Sequence, residues 1–150
     1  MAGAESIRTL VVRNMLDTVR TCASVVGGFE YDRPFDRARK VMPAGWLYDY
    51  DEHYNNKATQ KLFCDLNIGI EIGFRFTDKG DDTLRNVGNG LLRDILKVVM
   101  ADVTRGQLAV STMPVLSNIV DLSAEDDRLG ELGVLFTVNY WMSLTDPTAQ

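Results

Sequence analysis

The most regular feature of the sequence is a period-two alternation between residues 62 and 76. Every even-numbered position is apolar, while nearly all odd-numbered positions are polar or glycine. A period of two sustained this long predicts one β-strand with a dry face and a wet or interfacial face. Its dry positions are Leu62, Cys64, Leu66, Ile68, Ile70, Ile72, Phe74 and Phe76.

The length of this strand exceeds the expected size of the domain. At ~3.3 Å per residue it would reach roughly 45–50 Å, whereas a compact domain of this chain length is only ~40 Å across. We therefore expect part of the strand to project toward another subunit, which favours assembly over catalysis.

Two further stretches have the spacing of amphipathic helices. Apolar residues recur at intervals of three and four in residues 6–22 and again in residues 83–103, which predicts a helix in each. Gly88 and Gly90 lie inside the second helix and would weaken it by about 1 kcal/mol each relative to alanine. Their presence indicates that something packs closely against this helix.

The remaining segments predict shorter strands and an arm. Residues 46–54, 114–122 and 133–143 have strand-like patterns, and residues 31–46 form a proline-containing arm. Two helices that must bury their apolar stripes on one continuous sheet face give an α+β domain. We expect one domain over residues 1–150, with a mainly antiparallel four-stranded sheet, two helices on one face and a long projecting strand or hairpin.

Composition narrows the class of protein. The 150 residues are 45% hydrophobic and 25% charged, as in an ordinary soluble globular protein. The net charge of −5 argues weakly against a nucleic-acid-binding surface, although an acidic lining would let DNA pass without sticking. Cys22 and Cys64 fall at apolar positions and predict buried thiols. Without a signal peptide or a bilayer-spanning run, we expect a soluble protein made in a reducing cytoplasm.

One cluster could carry chemistry. If residues 49–53 form a strand, Asp49, Asp51 and His53 share one face and could form a carboxylate–imidazole metal site. The alternative is a polar strand face beside a turn, because a convincing site needs three or four converging ligands and His53 is the only histidine. We therefore predict a protein without a catalytic residue, a metal or a cofactor. The alternative is a small metal-dependent enzyme that uses Asp49, Asp51 and His53.

Two segments of opposite charge are candidates for a subunit or partner interface. The arm is basic, and it is either solvated or a docking arm whose arginines bind carboxylates of a neighbour. An acidic loop on the same subunit is its natural counterpart, as in a head-to-tail ring. The candidate residues are Arg33, Phe35, Arg37, Arg39, Lys40 and Trp46 in or after the arm, and Asp121, Glu125, Asp126, Asp127 and Glu131 in or beside the loop.

The order of these elements resembles the tail terminator, or tail completion, proteins of long-tailed bacteriophages. The resemblance is one of pattern, and it covers nearly the whole chain. The matching features are the helix at 6–22, the arm at 31–46 with Pro43-Ala44-Gly45, the alternating strand at 62–77, the helix at 83–103, and a last strand with Tyr140-Trp141 followed by Asp146-Pro147.

This resemblance implies a structural virion protein at the tail–neck junction, assembled in the host cytoplasm. The family forms a hexameric ring on the head-proximal end of the tail tube, where it stops polymerisation and presents the docking surface for the head. The implied partners are other copies of the chain, the tail tube protein, the head–tail connector or neck protein and, in contractile tails, the sheath protein. DNA would only pass through the lumen, and no membrane is involved. Another neck or head–tail joining protein, or a different homo-oligomeric scaffold, is the alternative.

Overall fold

The computed structural model describes residues 5–32, 41–58, 60–125 and 127–150, with the backbone alone at residues 56–58. It contains two helices, five strands and one short 3₁₀ turn. In chain order these are α1 (Ile7–Arg20), β1 (Phe29–Tyr31), β2 (Ala44–Ala58), β3 (Lys61–Arg75), the 3₁₀ turn (Gly80–Asp82), α2 (Leu84–Met100), β4 (Ser111–Asp121) and β5 (Leu129–Ser143).

The strands form a single sheet in the order β1-β2-β3-β5-β4. β1 runs parallel to β2, and all other neighbours are antiparallel. The α+β class with two helices is therefore confirmed, but the four-stranded sheet is wrong. The additional strand, β1, has only three residues, which is too short for a period-two pattern to be recognised.

The long alternating strand is β3, and it lies in the middle of the sheet. It is paired with β5 along its whole length, from Lys61 opposite Ser143 to Arg75 opposite Leu129. β2 and β5 have the same length of 15 residues as β3. β3 therefore does not extend alone beyond the sheet, because neighbouring strands match its length, and the projection of the β2–β3 hairpin stays a prediction.

The dry face of the sheet is the one that the alternation predicts. The even-numbered residues of β3 from Cys64 to Phe74 are almost completely buried, and Leu62 is partly buried where the strand begins. Both helices contribute to the same core. Its members include Val134, Phe136 and Val138 of β5, Leu91, Ile95 and Val99 of α2, and Val11, Met15 and Val19 of α1. Both cysteines are buried, as expected.

The two glycines of α2 differ in their surroundings. A Cβ atom at Gly88 would lie 2.7 Å from Cδ1 of Ile119 on β4, whereas a Cβ atom at Gly90 would have no heavy atom within 4 Å. The predicted close packing is confirmed at Gly88, where the missing side chain lets helix and strand approach. It is wrong at Gly90.

A buried arginine closes the turn after α2. The Arg105 side chain is fully buried, and its guanidinium donates to the carbonyl oxygens of Val99 and Asp102 at the end of the helix. Its Nη1 atom also lies 3.4 Å from the sulfur of Met15 on α1. A cation in this position binds the free carbonyl groups of a helix C-terminus, so Arg105 holds the two helices together.

Candidate functional site

A β-bulge in β2 changes the expected arrangement of the acidic cluster. The register between β2 and β3 shifts between Asp49 and Glu52, so Tyr50 and Asp51 together lie opposite one residue of β3. A bulge of this kind reverses the alternation that follows it. Asp49 and Glu52 consequently face the helices, whereas Asp51 and His53 face the other side of the sheet.

Arg8 of α1 binds both carboxylates that the bulge turns inward. Its Nε and Nη2 atoms lie 3.0 and 2.6 Å from Oδ2 of Asp49, and its Nη1 atom lies 3.2 Å from Oε2 of Glu52. The hydroxyl of Tyr31 donates to Asp49, and the hydroxyl of Tyr140 donates to Glu52 over 2.8 Å. The network therefore joins α1 and three strands.

The environment of this network keeps Asp49 ionised. Burial alone would raise the pKa of Asp49, but the hydrogen bonds from Tyr31 and Arg8 outweigh it, and the pKa is lowered. The same hydrogen bond, together with burial, raises the pKa of Tyr31 to about 12. Burial, followed by the hydrogen bond to Glu52, raises the pKa of Tyr140. Asp49, Tyr31 and Tyr140 therefore serve as hydrogen-bond partners that hold the elements together.

Asp51 and His53 remain together on the opposite face. Oδ2 of Asp51 lies 3.0 Å from Nε2 of His53, and Oδ1 of Asp51 accepts a hydrogen bond of 2.7 Å from Asn67. The hydrogen bond from Asn67 lowers the pKa of Asp51. Within the described part of the chain, no three histidine, cysteine, aspartate or glutamate side chains form a possible metal-binding group. Asp49, Asp51 and His53 therefore do not converge as a metal site.

The face of the sheet that carries Asp51 is covered by no described helix, and we call it the uncovered face. Its polar side chains hydrogen-bond one another across the strands. Thr137 donates to Asn67 over 2.6 Å, Asn139 donates to Asp65, and Ser111 donates to Asn139 over 2.7 Å. These groups satisfy one another across the strands, on a face that also carries the stacked rings of Phe63 and Trp141.

A hollow of about 560 Å³ lies on the uncovered face. Gly69 and Gly133 are among the residues that line it. A Cβ atom at Gly69 would collide with the ring of Tyr50, and a Cβ atom at Gly133 would collide with Asn118. The two glycines therefore allow side chains from β2 and β4 to lie over the central strands.

The hollow is acidic. Glu71 and Glu131 both line it and are both half-buried, and the β3–β5 register places them diagonally across from each other. Burial, followed by the charge of Glu71, raises the pKa of Glu131. Tyr48 donates a hydrogen bond to Glu71, and the pKa of Tyr48 is raised mainly by burial. Among the described residues, no lysine or arginine lines this hollow.

No protein-family model matches the chain, and no curated protein matches its sequence. The fold and surfaces of the protein must therefore support any functional conclusion. Neither of the described helices is long and apolar enough to cross a bilayer.

Most of the predicted arm lies outside the described residues. This applies to Arg33, Phe35, Arg37, Arg39 and Lys40, and also to Asp126 in the acidic loop. Trp46 is described, and it lies opposite Glu71 in the β2–β3 ladder with only 1% of its surface exposed. The side chain of Trp46 is therefore buried within the chain, and its contact with a partner stays a prediction.

The acidic loop does not present one continuous surface. Asp127 pairs with Arg75 over 2.7 Å, and Asp121 accepts a hydrogen bond of 2.8 Å from a backbone amide two residues further along. Glu131 lies in the hollow of the uncovered face. Glu125 is exposed, with a positive φ of 54°. These acids therefore have separate environments, and Asp127 is already neutralised.

Almost all exposed large apolar residues belong to the outer strands at the two edges of the sheet or to segments beside them, and two of them, Tyr50 and Leu116, also line the hollow of the uncovered face. Among the described residues none lies on α1, α2, β3 or β5, and only Leu144 lies away from both edges. The group in or beside β4, which we call the β4 edge, consists of Val110, Met113, Val115, Leu116 and Val120. The group in or beside β1 and β2, which we call the β1–β2 edge, consists of Val26, Tyr31, Val41, Tyr50 and Tyr54.

Proposed function

We propose that the protein is a structural ring subunit at the neck of a phage tail, as the resemblance to tail terminators implies. In this role several copies surround the head-proximal end of the tail tube, stop its polymerisation and provide the surface to which the head connector docks. A different ring of the same neck is the alternative within this class.

The acidic hollow of the uncovered face, which no described lysine or arginine lines, is the observation that carries this proposal. A ring around passing DNA needs an inner wall that stays hydrated and does not bind phosphate groups. Asp51, Glu71 and Glu131 line the hollow on this face, and the neighbouring polar side chains are satisfied by one another. We infer that this face lines the lumen and that both helices lie on the outside.

The buried ionisable groups also support a structural role. A general base or nucleophile needs access to a substrate, whereas Asp49 and Glu52 are bound by Arg8 and by two tyrosine hydroxyls. Their contacts tie a helix to the sheet. Carboxylates in such contacts stabilise the fold, as expected for a structural subunit.

Deletion of the coding sequence from the genome that carries it tests the proposal. We expect electron microscopy to show tails of abnormal length and heads without tails, and a plasmid-borne copy should restore normal particles. Tails of normal length that are joined to heads in the deletion strain would refute the proposed role.

A second experiment tests the orientation of the uncovered face. Changing Asp51 and Glu131 to lysine should slow DNA release from assembled particles several-fold, because the lumen would then attract phosphate groups. The matched control changes Asp81 and Asp82, two exposed acids of the 3₁₀ turn, to lysine. Equal release rates for both double variants and the parent would contradict the assignment of this face to the lumen.

A further inference from the structure

We propose that neighbouring copies join head to tail through opposite edges of the sheet, with the β4 edge of one copy packed against the β1–β2 edge of the next. This inference rests on the proposed ring and identifies the surfaces by which its subunits meet.

β4 has the properties of a strand that is covered by a partner. Its described neighbour in the sheet is β5 on one side only. No charged residue occurs between positions 106 and 120, so the regular half of β4 lacks the charges that commonly protect an edge strand, whereas Pro114 and the bulge after it protect the other half. Met113 and Leu116 are 54% and 64% exposed. An uncharged, apolar edge of this kind favours a partner.

The pairing of β4 with β5 indicates which half of β4 is regular enough to contact a neighbouring copy. The register against β5 is irregular between Pro114 and Leu116, and it is regular from Leu116 to Asp121. A proline is tolerated at an edge because it removes only one donor, and the bulge bends that half of the strand. The regular half has six residues, from 116 to 121, which is the typical length of a strand.

The β1–β2 edge offers a complementary surface on the opposite side of the same sheet. β1 pairs with β2 only from Gly45 to Leu47, so the rest of β2 has no other described strand on its outer side. Tyr54 is 57% exposed, whereas Tyr50, which is 59% exposed, turns its ring over Gly69 into the hollow of the uncovered face. Tyrosine supplies a large contact area and a polar end, and it is enriched at protein interfaces.

A head-to-tail contact would cover the exposed apolar residues of both edges, whereas a symmetric contact would cover those of one edge only. Pairing two β4 edges would leave the exposed tyrosines of both copies in water. Pairing two β1–β2 edges would bring Asp51 and its neighbouring acids close to their own copies, in a chain whose net charge is −5. A heterologous contact whose rotation closes forms a ring, and in such a ring both apolar groups are covered in every copy.

The size of each edge predicts a weak pairwise contact. Five side chains at each edge, which are 39–66% exposed, present on the order of 300 Å² of apolar surface, compared with about 800 Å² per partner in a standard interface. Two free copies should therefore bind weakly. A tube end that aligns all copies would let the contacts form together.

Cysteine cross-linking in assembled tails tests this contact. The double variant Leu116→Cys plus Tyr54→Cys should give, with a short bismaleimide, a ladder of covalent multimers that ends in a closed ring. Cys22 and Cys64 are buried and should not react. Leu116→Cys alone and Leu144→Cys plus Tyr54→Cys are the controls, and both should remain monomeric.

The outcomes separate this inference from the proposed function. A covalent dimer from Leu116→Cys alone would overturn the head-to-tail contact in favour of pairing between two β4 strands. Monomers only, in tails of normal length that contain the protein at the neck, would overturn the edge contact while the ring function stands. Normal particles after deletion of the gene would refute the ring function itself. Unfolding midpoints equal to that of the parent confirm that the variants are folded.

Discussion

Replacing Arg8 by methionine tests the contact that ties α1 to the bulge of β2. The change keeps a long side chain of similar helix propensity but removes the charge and the donors. Asp49 would keep its hydrogen bond from Tyr31, and Glu52 would keep the one from Tyr140. Neither carboxylate would retain a cationic partner among the described contacts.

The exposure of the three side chains sets the expected loss of stability. The side chain of Glu52 is 3% exposed and that of Asp49 is 18% exposed, but Arg8 itself is 34% exposed. Breaking a fully buried pair costs about 3–5 kcal/mol, and breaking a surface pair costs about 0–1 kcal/mol. Because solvent screens Arg8 in part, we expect a loss of about 2–3 kcal/mol, which corresponds to a decrease in Tm of roughly 4–12 °C for a domain of this size.

Urea unfolding at neutral pH measures this loss, and α1 provides a matched control. Arg13 pairs with Glu5 over 2.6 Å, but the two side chains are 55% and 41% exposed, so Arg13→Met should cost less than about 1 kcal/mol. Adding Glu52→Gln to Arg8→Met should recover about 1 kcal/mol or more, because it removes the buried charge left without a partner. Equal midpoints for Arg8→Met and Arg13→Met would refute the reasoning.

Three further predictions concern the core, the second helix and pH. Ile95→Ala should cost about 2–5 kcal/mol in urea unfolding, because Ile95 is fully buried and its loss leaves a cavity; a change below 1 kcal/mol would contradict the packing. Gly90→Ala should stabilise the protein by about 1 kcal/mol, whereas Gly88→Ala should destabilise it through the contact with Ile119; similar gains from both would be inconsistent with the structure. The folded state lowers the pKa of Asp49, so its contribution to stability is present above its unfolded pKa of about 4 and is lost as the pH falls through the lower folded value. The stability difference between the parent and Asp49→Asn should therefore shrink in acid, and a difference that is independent of pH would contradict the ion pair.

The elements that sequence reasoning predicted are those with long, regular patterns. β3 alternates over its full length, and its even-numbered residues form the dry face. Both helices have continuous apolar stripes that pack on this face. β1 was missed because three residues carry no measurable period, and its place in the sheet depends on parallel pairing with Gly45–Leu47, which is a tertiary interaction.

The candidate site was predicted less well because it depends on one inserted residue. Simple alternation places Asp49, Asp51 and His53 on one face, and the bulge between Asp49 and Glu52 separates them. The bulge is stabilised by Arg8, which is 41 positions from Asp49 in the sequence. Local patterns contain no information about such a distant partner, so the sequence offered no signal for this network.

The apolar edges show how the topology decides the meaning of a pattern. The chain contains two long segments without a charged residue, 106–120 and 132–145. The second contains most of β5, which lies between β3 and β4, and its apolar side chains enter the core. The first contains most of β4, which lies at the edge of the sheet with most of its apolar side chains exposed. A segment without charges at the centre of a sheet is explained by folding alone, whereas the same kind of segment at an edge is prone to association. The position of β4 is therefore the physical reason for the proposal that a neighbouring copy covers this edge.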